Sequence, residues 1–169
     1  MIPNSFKHII NDVYRLDKGL SPDNLHEELR KIAINSPRKQ SRICLHNNDE
    51  SVVQIMYICH LKGCKVKIHK HDLFPEWLIF VNAHVNIKFF NSFGEETDKL
   101  CIDTLKSNGS KIHYIPNNIF HTLEFLKDSF FLEIKQGPFE KKDTDNTKNI
   151  LLVLPEGRST LKYKDHNID

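Results

Sequence analysis

Apolar side chains recur along this chain with two different periods, and the change falls near residue 40. Before it, Leu25, Leu29 and Ile32 are spaced to line one face of a helix. Ser21-Pro22 supplies an N-cap followed by proline at the first helical position. Asp23, Glu27 and Glu28 suit the positive end of the helix dipole, and Ser36-Pro37 stops the run. The pattern predicts an amphipathic helix of roughly three to four turns, packed on something larger.

From Arg42 the period shortens to that of strands. The segments are Arg42–Leu45, Val52–His60, Lys65–His71, Glu76–Asn82, Val85–Phe90, Leu100–Leu105, Ile112–Ile115, Phe120–Leu126 and Phe130–Lys135. Turn formers separate them: Asn47-Asn48-Asp49, Lys62-Gly63, Phe93-Gly94, Ser107-Asn108-Gly109 and Pro116-Asn117-Asn118. Many short strands at short spacing predict an all-β fold with an N-terminal helix, a small antiparallel double-sheet barrel whose closure protects its edges. The chain divides into a helical segment 1–40, a barrel 41–139 and a polar C-terminal extension 140–169. An apolar patch at Ile150–Leu154 in that extension is expected to dock on the barrel or a partner. No internal repeat is visible.

At 169 residues the chain buries a real core without covalent staples. The 24 Lys and Arg against 22 Asp and Glu leave a net charge of +2, which argues against a broad nucleic-acid-binding face. No stretch is long and apolar enough to span a membrane. The segment Met1–Ile10 does not read as a signal peptide, so a cytoplasmic location is expected. Cys44, Cys59, Cys64 and Cys101 show no CxxC pairing and are expected as free thiols. Ten histidines are the unusual feature of the composition, and their placement carries the argument.

The informative segment is Gly63-Cys-Lys-Val-Lys-Ile-His69-Lys-His71-Asp-Leu-Phe-Pro-Glu76. Residues two apart on a strand share a face, so His69 and His71 project together. A turn through Asp72–Pro75 lets Glu76 open the next strand, antiparallel to the first, with its carboxylate beside the two rings. Further on, Pro116-Asn-Asn-Ile-Phe-His121 brings a new strand whose early histidine can reach the same interior. A lone HxH is more often exposed polar alternation than a metal site. Glutamate at the following strand start and a later proline-turn-histidine change that balance, because imidazole and carboxylate together suit first-row transition metals.

These two segments resemble the paired motifs of the cupin superfamily: glycine, five residues, HxH, four residues and glutamate, then glycine, proline, a turn and histidine. Two positions depart from the pattern: Asn82-Ala83 replaces the glycine after the glutamate strand, and Asn118 replaces the turn glycine. Asparagine tolerates positive φ better than most residues, so the second change is mild. The chain also resembles the WbuC-type cupin-fold metalloproteins through Asn35-Ser-Pro-Arg38, Cys44-Leu-His46, Asp49, Val53-Gln54, Met56, Glu133–Phe139 and Pro155-Glu-Gly157. That resemblance implies a helix followed by a jelly-roll cupin barrel holding one divalent metal on His69, His71, Glu76 and His121. It also implies a genetic association with O-antigen and related surface-polysaccharide biosynthesis. The donor set accommodates Fe, Mn, Ni, Zn or Co.

Other residues are weighed against ordinary structural roles. Lys67 shares strand parity with His69 and His71; it either faces the cavity to hold a phosphate, carboxylate or sugar-nucleotide group, or sits at the mouth in water. Gln54 and Arg42 are candidate substrate-binding residues, with backbone satisfaction as the alternative for Gln54. His46 and Glu133 are candidate proton-transfer residues, Glu133 because a carboxylate inside an apolar strand needs a partner. His60, His84 and His113 read as structural, and Trp77, Phe80, Phe89 and Phe90 as core or dimer-interface residues. The leading expectation is a metal-dependent enzyme acting on a small molecule, a sugar or sugar nucleotide, by isomerisation or epimerisation, as a homodimer. The same residues leave open an Fe(II)-dependent dioxygenase or a non-catalytic carbohydrate-binding cupin.

Overall fold

The computed structural model describes residues 6–16, 24–106, 109–140 and 144–145. The elements in chain order are β1 (Phe6–Ile10), β2 (Val13–Leu16), α1 (Leu25–Asn35), β3 (Gln40–Cys44), β4 (Val53–His60), β5 (Lys70–His71), β6 (Glu76–Asn82), β7 (His84–Phe90), β8 (Glu96–Asp103), β9 (Ile112–Ile115), β10 (Phe120–Phe125), β11 (Ser129–Gln136) and β12 (Thr144–Asp145). A seven-stranded sheet runs in the order β1-β2-β3-β4-β11-β6-β9, a three-stranded sheet as β10-β7-β8, and β12 pairs with β5.

Period-two alternation gives the large sheet two distinct faces. On one face Tyr57 and Cys59 of β4, Ile43 of β3 and Phe130 of β11 pack with Leu29 and Ala33 of α1, both fully buried. Burying a leucine this completely stabilises by roughly 2 kcal/mol. The helix is further tied down by Ser41, whose Oγ donates to the Leu29 carbonyl at 2.7 Å. α1 is also the crossover that lets β2 and β3 pair in parallel. On the opposite face Ile58, Leu78, Phe80, Ile115 and Phe131 meet Val85, Ile87, Ile102, Leu123 and Phe125 of the smaller sheet. The core of the jelly roll lies between the two sheets.

Several sequence expectations are corrected here. The sheets do not close into a barrel: between Lys65 and His69 the chain meets β10 through the isolated bridges Lys65↔Glu124 and His69↔His121 and the Thr122 Oγ1 hydrogen bond to Val66 O (2.6 Å), without a continuous ladder. The expected strand Lys65–His71 therefore shrinks to β5. Glu76's strand does not pair with it, but lies between β11 and β9. The first forty residues hold the β1–β2 hairpin as well as the helix; its signal was Asn11-Asp12, with Asn11 at φ 50°. The helix begins at Leu25 after Asn24, whose amide reaches Glu28 at 3.1 Å rather than capping the backbone. It ends as expected, with Ser36 extended (φ −82°, ψ 130°) ahead of Pro37. Ser21-Pro22, the Ser107-Asn108 part of a turn, and Ile150–Leu154 lie outside the described residues. Phe80 is core and Phe89 packs against that core, Phe90 is half-buried, and Trp77 turns outward onto Tyr114, with ring centroids 5.2 Å apart. All four cysteines are free; Cys101 is exposed. No helix among the described residues is long and apolar enough to cross a membrane.

His60, read as structural, is buried without hydrogen-bond partners for its ring. It shares the parity of Gln54, Met56 and Ile58, so its ring enters the space between the sheets, edge-on to Phe125 (4.7 Å) and Phe131 (5.4 Å). Neither ring nitrogen has a hydrogen-bond partner. Burial, then the charges of Arg42 and Arg38, push its pKa down to about 3. A histidine held neutral in this way contributes stability that is complete above its ordinary value of 6.5 and is lost as pH falls toward about 3. Between pH 6.5 and 4.5 the loss attributable to His60 is roughly 2–3 kcal/mol at 1.36 kcal/mol per pH unit. His60→Phe, which keeps the ring contacts, is expected to raise the melting temperature at pH 7 and flatten its fall on acidification. An unchanged pH profile of melting temperature in that variant would disprove the linkage.

Candidate metal centre

The centre is assembled by backbone pairing before any side chain acts. His69 and His121 exchange both main-chain hydrogen bonds, His69 N–H to His121 O at 3.0 Å and His121 N–H to His69 O at 2.8 Å. This places their rings 4.3 Å apart, with the His71 ring 5.1 Å from His69 and 5.8 Å from His121. Asn118, at φ 63°, donates its N–H to the His71 carbonyl at 2.7 Å and so anchors the turn that feeds β10 to the end of the HxH segment. The sequence departure at Asn118 is thus one that left-handed backbone accepts. Glu76, the first residue of β6, has Ile115 of β9 and Lys135 of β11 as its cross-strand neighbours. One ligand atom from each of His69, His71, Glu76 and His121 lies within 4.8 Å of the others, so the four can hold a metal ion.

Hydrogen bonds orient the rings for this. A carbonyl can only accept, so His69 donates through Nδ1 to Lys67 O and His121 through Nδ1 to Ile119 O, each at 2.9 Å. Both imidazoles are turned so that Nε2 faces the shared centre, as metal-ligating histidines are commonly held. Glu76 Oε1 lies 2.9 Å from His121 Nε2, and Oε2 lies 3.3 Å from His71 Nε2. Burial alone would push the Glu76 carboxyl up; the bonds to His121 and His71 outweigh it and hold the group well below the usual carboxylate range. Burial, with the charge of His121, lowers His69 to about 4, whereas for His121 the Glu76 carboxylate outweighs burial and raises it. Three imidazoles and one ionised carboxylate converging on one largely buried point fit a divalent first-row metal.

Residues 22–102 match the family described as a domain of unknown function (DUF6016). That match includes His69, His71 and Glu76 but ends before His121. No curated protein matches the sequence. Among solved structures, the capsular polysaccharide assembling protein CapF from Staphylococcus aureus aligns with 19% identity over 66% of this chain and 32% of its own, with a TM-score of 0.53. CapF bound to the inhibitor 3-isopropenyl-tropolone aligns with 18% identity over 63% and 31%, also at 0.53. The oxalate decarboxylase–formate complex from Lactobacillus farciminis aligns with 18% identity over 57% and 27%, at 0.46. The chain spans about a third or less of the length of these proteins. The CapF alignments carry the fold. This chain is a cupin in fold.

Within this fold the His/Glu cluster lies on the wall of a cavity of about 980 Å³ between the sheets, which Arg42, His46, Gln54, Lys67 and Glu133 also line. Their settings differ. His46 Nδ1 lies 3.0 Å from both the amide nitrogen and the carbonyl oxygen of Ile55, and burial lowers the pKa of His46. The Gln54 amide donates to the carbonyls of Ser51 (2.7 Å) and Asp49 (3.1 Å), holding the β3–β4 loop. Gly137 packs so closely there that a Cβ would sit 2.1 Å from Ser51 O, which excludes any side chain. Lys67 is exposed and lies at the cavity rim, because its segment is not a regular strand. Glu133 is half-buried deep in the cavity; burial and then the Glu76 charge push its carboxyl up, against Arg42, Lys135 and His71.

Two cavity residues escaped the sequence reading. Lys135 Nζ lies 2.9 Å from His71 Nδ1, and His60 lines the same space. Parity would have found both, since Lys135 must share a face with Glu133, and His60 with Gln54. His69→Ala and His121→Ala are each expected to lower metal content at least tenfold while the far-ultraviolet circular dichroism stays native. Arg42→Gln should keep its metal. Full metal occupancy in both histidine variants by elemental analysis would dismiss this ligand set.

Proposed function

We propose that this cupin is a metal-dependent enzyme acting on a sugar or sugar nucleotide, by isomerisation, epimerisation or a related step, in surface-polysaccharide assembly in the cytoplasm. The observation that carries the reading is the convergence of His69, His71, Glu76 and His121 within 4.8 Å on the wall of a roomy cavity. A divalent ion on that set would act as a Lewis acid toward a carbonyl or hydroxyl oxygen of the ligand. The chain's own groups do the rest. Glu133, whose carboxyl is pushed up by burial and by the Glu76 charge, is suited to exchange a proton with the ligand. His46 offers a second proton-carrying nitrogen, while Arg42, Gln54 and Lys67 bind and orient.

The polysaccharide assignment is supported by the WbuC-type motifs and by the shared fold with a capsular polysaccharide assembling protein. Trp77 and Tyr114, both exposed on the outer face of β6 and β9, support a homodimer. The test is a panel of nucleotide sugars offered to protein purified without chelator or affinity-column nickel, with products followed by NMR. Turnover of one sugar class, reduced at least tenfold by Glu133→Gln with metal retained, is expected. Binding without turnover would make the chain a carbohydrate-binding cupin, and iron-dependent oxygen consumption would make it a dioxygenase; either result rejects the proposal.

A further inference from the structure

The strand register gives the cavity floor a polar axis. On the inward face of the large sheet, Glu76 lies in one cross-strand row with Lys135 and Gln54. The next row holds Leu78, Glu133, Met56 and Cys44, and the one after it Phe80, Phe131, Ile58 and Arg42. His60 and Gln40 follow one row further on. Each row advances two residues, so Arg42 is rooted about 13 Å along the sheet from the Glu76 row and His60 about 20 Å, at ~3.3 Å per residue.

The far end of this axis is cationic and unsatisfied. The other two arginines lining the cavity are taken: Arg15 pairs with Asp49 at 2.6 Å and Arg38 with Asp12. Arg42 is half-buried, and no ion pair to it is found among the described residues; its Nη1 meets only the Met56 sulfur, at 3.7 Å. Beside it His60 is 5% exposed with both ring nitrogens unpartnered. Lys65 and Lys67 stand exposed at the rim of the same cavity. An imidazole withdrawn from water without partners is costly unless a ligand supplies an acceptor, and the half-buried Arg42 guanidinium that no carboxylate pairs can share that acceptor. Arginine's planar donors, joined by an imidazole N–H, suit a tetrahedral oxyanion.

We infer that Arg42 and His60 form a phosphoryl-binding subsite at the end of the cavity away from the His/Glu cluster, with Lys65 and Lys67 guiding the anion in. This deepens the proposed function and rests on it for the identity of the ligand's other end. The substrate is then an extended phosphorylated molecule, its phosphoryl group on Arg42 and its reacting end at the His/Glu cluster, a span that a sugar joined to a phosphate or diphosphate covers.

Inorganic phosphate titrated calorimetrically into the full-length, metal-loaded chain tests the subsite. One phosphate per chain is expected, weakened at least tenfold by Arg42→Gln and only a few-fold by Arg42→Lys. Lys88→Gln, on the other sheet and paired with Glu124, should leave binding unchanged. His60→Phe should weaken phosphate binding while raising the ligand-free melting temperature, a combination that a packing role for His60 does not give. If Arg42→Gln does not fold, Arg42→Lys and His60→Phe still decide. Phosphate binding within twofold of wild type in both Arg42→Gln and His60→Phe would overturn the inference, as would acetate binding as tightly as phosphate. A chain that binds no metal yet shows Arg42-dependent phosphate binding would defeat the metal reading and leave this one standing.

Discussion

An ionised carboxylate withdrawn from water must be met by charge or hydrogen-bond donors, and Glu76 imposes that demand on the whole molecule. It opens β6, between β9 and β11, with 3% of its surface exposed. Its two oxygens are met by imidazoles from two other segments, His71 and His121. Those segments are fixed to one another by the reciprocal main-chain pair His69↔His121 and by the turn at Asn118. The jelly roll can therefore leave its sheets unclosed on this side, because the HxH segment is held at a few points chosen by the site rather than by a continuous ladder. An arrangement that collects three nitrogens and one oxygen around one point is weakly rewarded as pure protein packing. It is strongly rewarded when a cation completes it.

The remainder of the cavity also sets polar groups where packing alone would not. Inward-facing positions in successive rows that would pack well as Leu or Phe instead carry Lys135, Glu133, Arg42 and His60. His60 illustrates the compromise most clearly: its ring is packed against Phe125 and Phe131 as a hydrophobe would be, yet its nitrogens are left without partners. Stability is given up at such positions where function needs polar groups in a dry space. The helix-covered face of the large sheet, built from Leu29, Ala33, Ile43, Tyr57 and Phe130, shows what the same strands do when only packing is at stake.

Much of this was legible in the amino-acid sequence where local chemistry decides the outcome. Glu76–Asn82 and Ile112–Ile115 form strands with the bounds their alternation implies, and the helix stops where Ser36-Pro37 demands. The four cluster residues were readable from the spacing of HxH, glutamate and the later turn and histidine. What was not legible depends on partners distant in sequence. The residues of β1 and β2 lack strict alternation; they pair with each other, and β2 also joins the edge of β3 in parallel. Lys65–Ile68 reads as a strand but finds no continuous neighbour. Glu76's strand takes β11 and β9 as neighbours, which sequence order alone does not dictate, and that choice brings Lys135 beside the cluster.

One cation is expected where these four side chains meet. X-ray absorption at the metal edge, together with anomalous diffraction from crystals of protein prepared without added metal or chelator, tests it most directly. One ion per chain is predicted, bonded by three imidazole nitrogens from His69, His71 and His121 and by a Glu76 oxygen, at roughly 2.0–2.2 Å. A sulfur-containing shell, an ion bound elsewhere, or crystals in which Glu76 still bridges His71 and His121 after soaking with divalent first-row metals would contradict it.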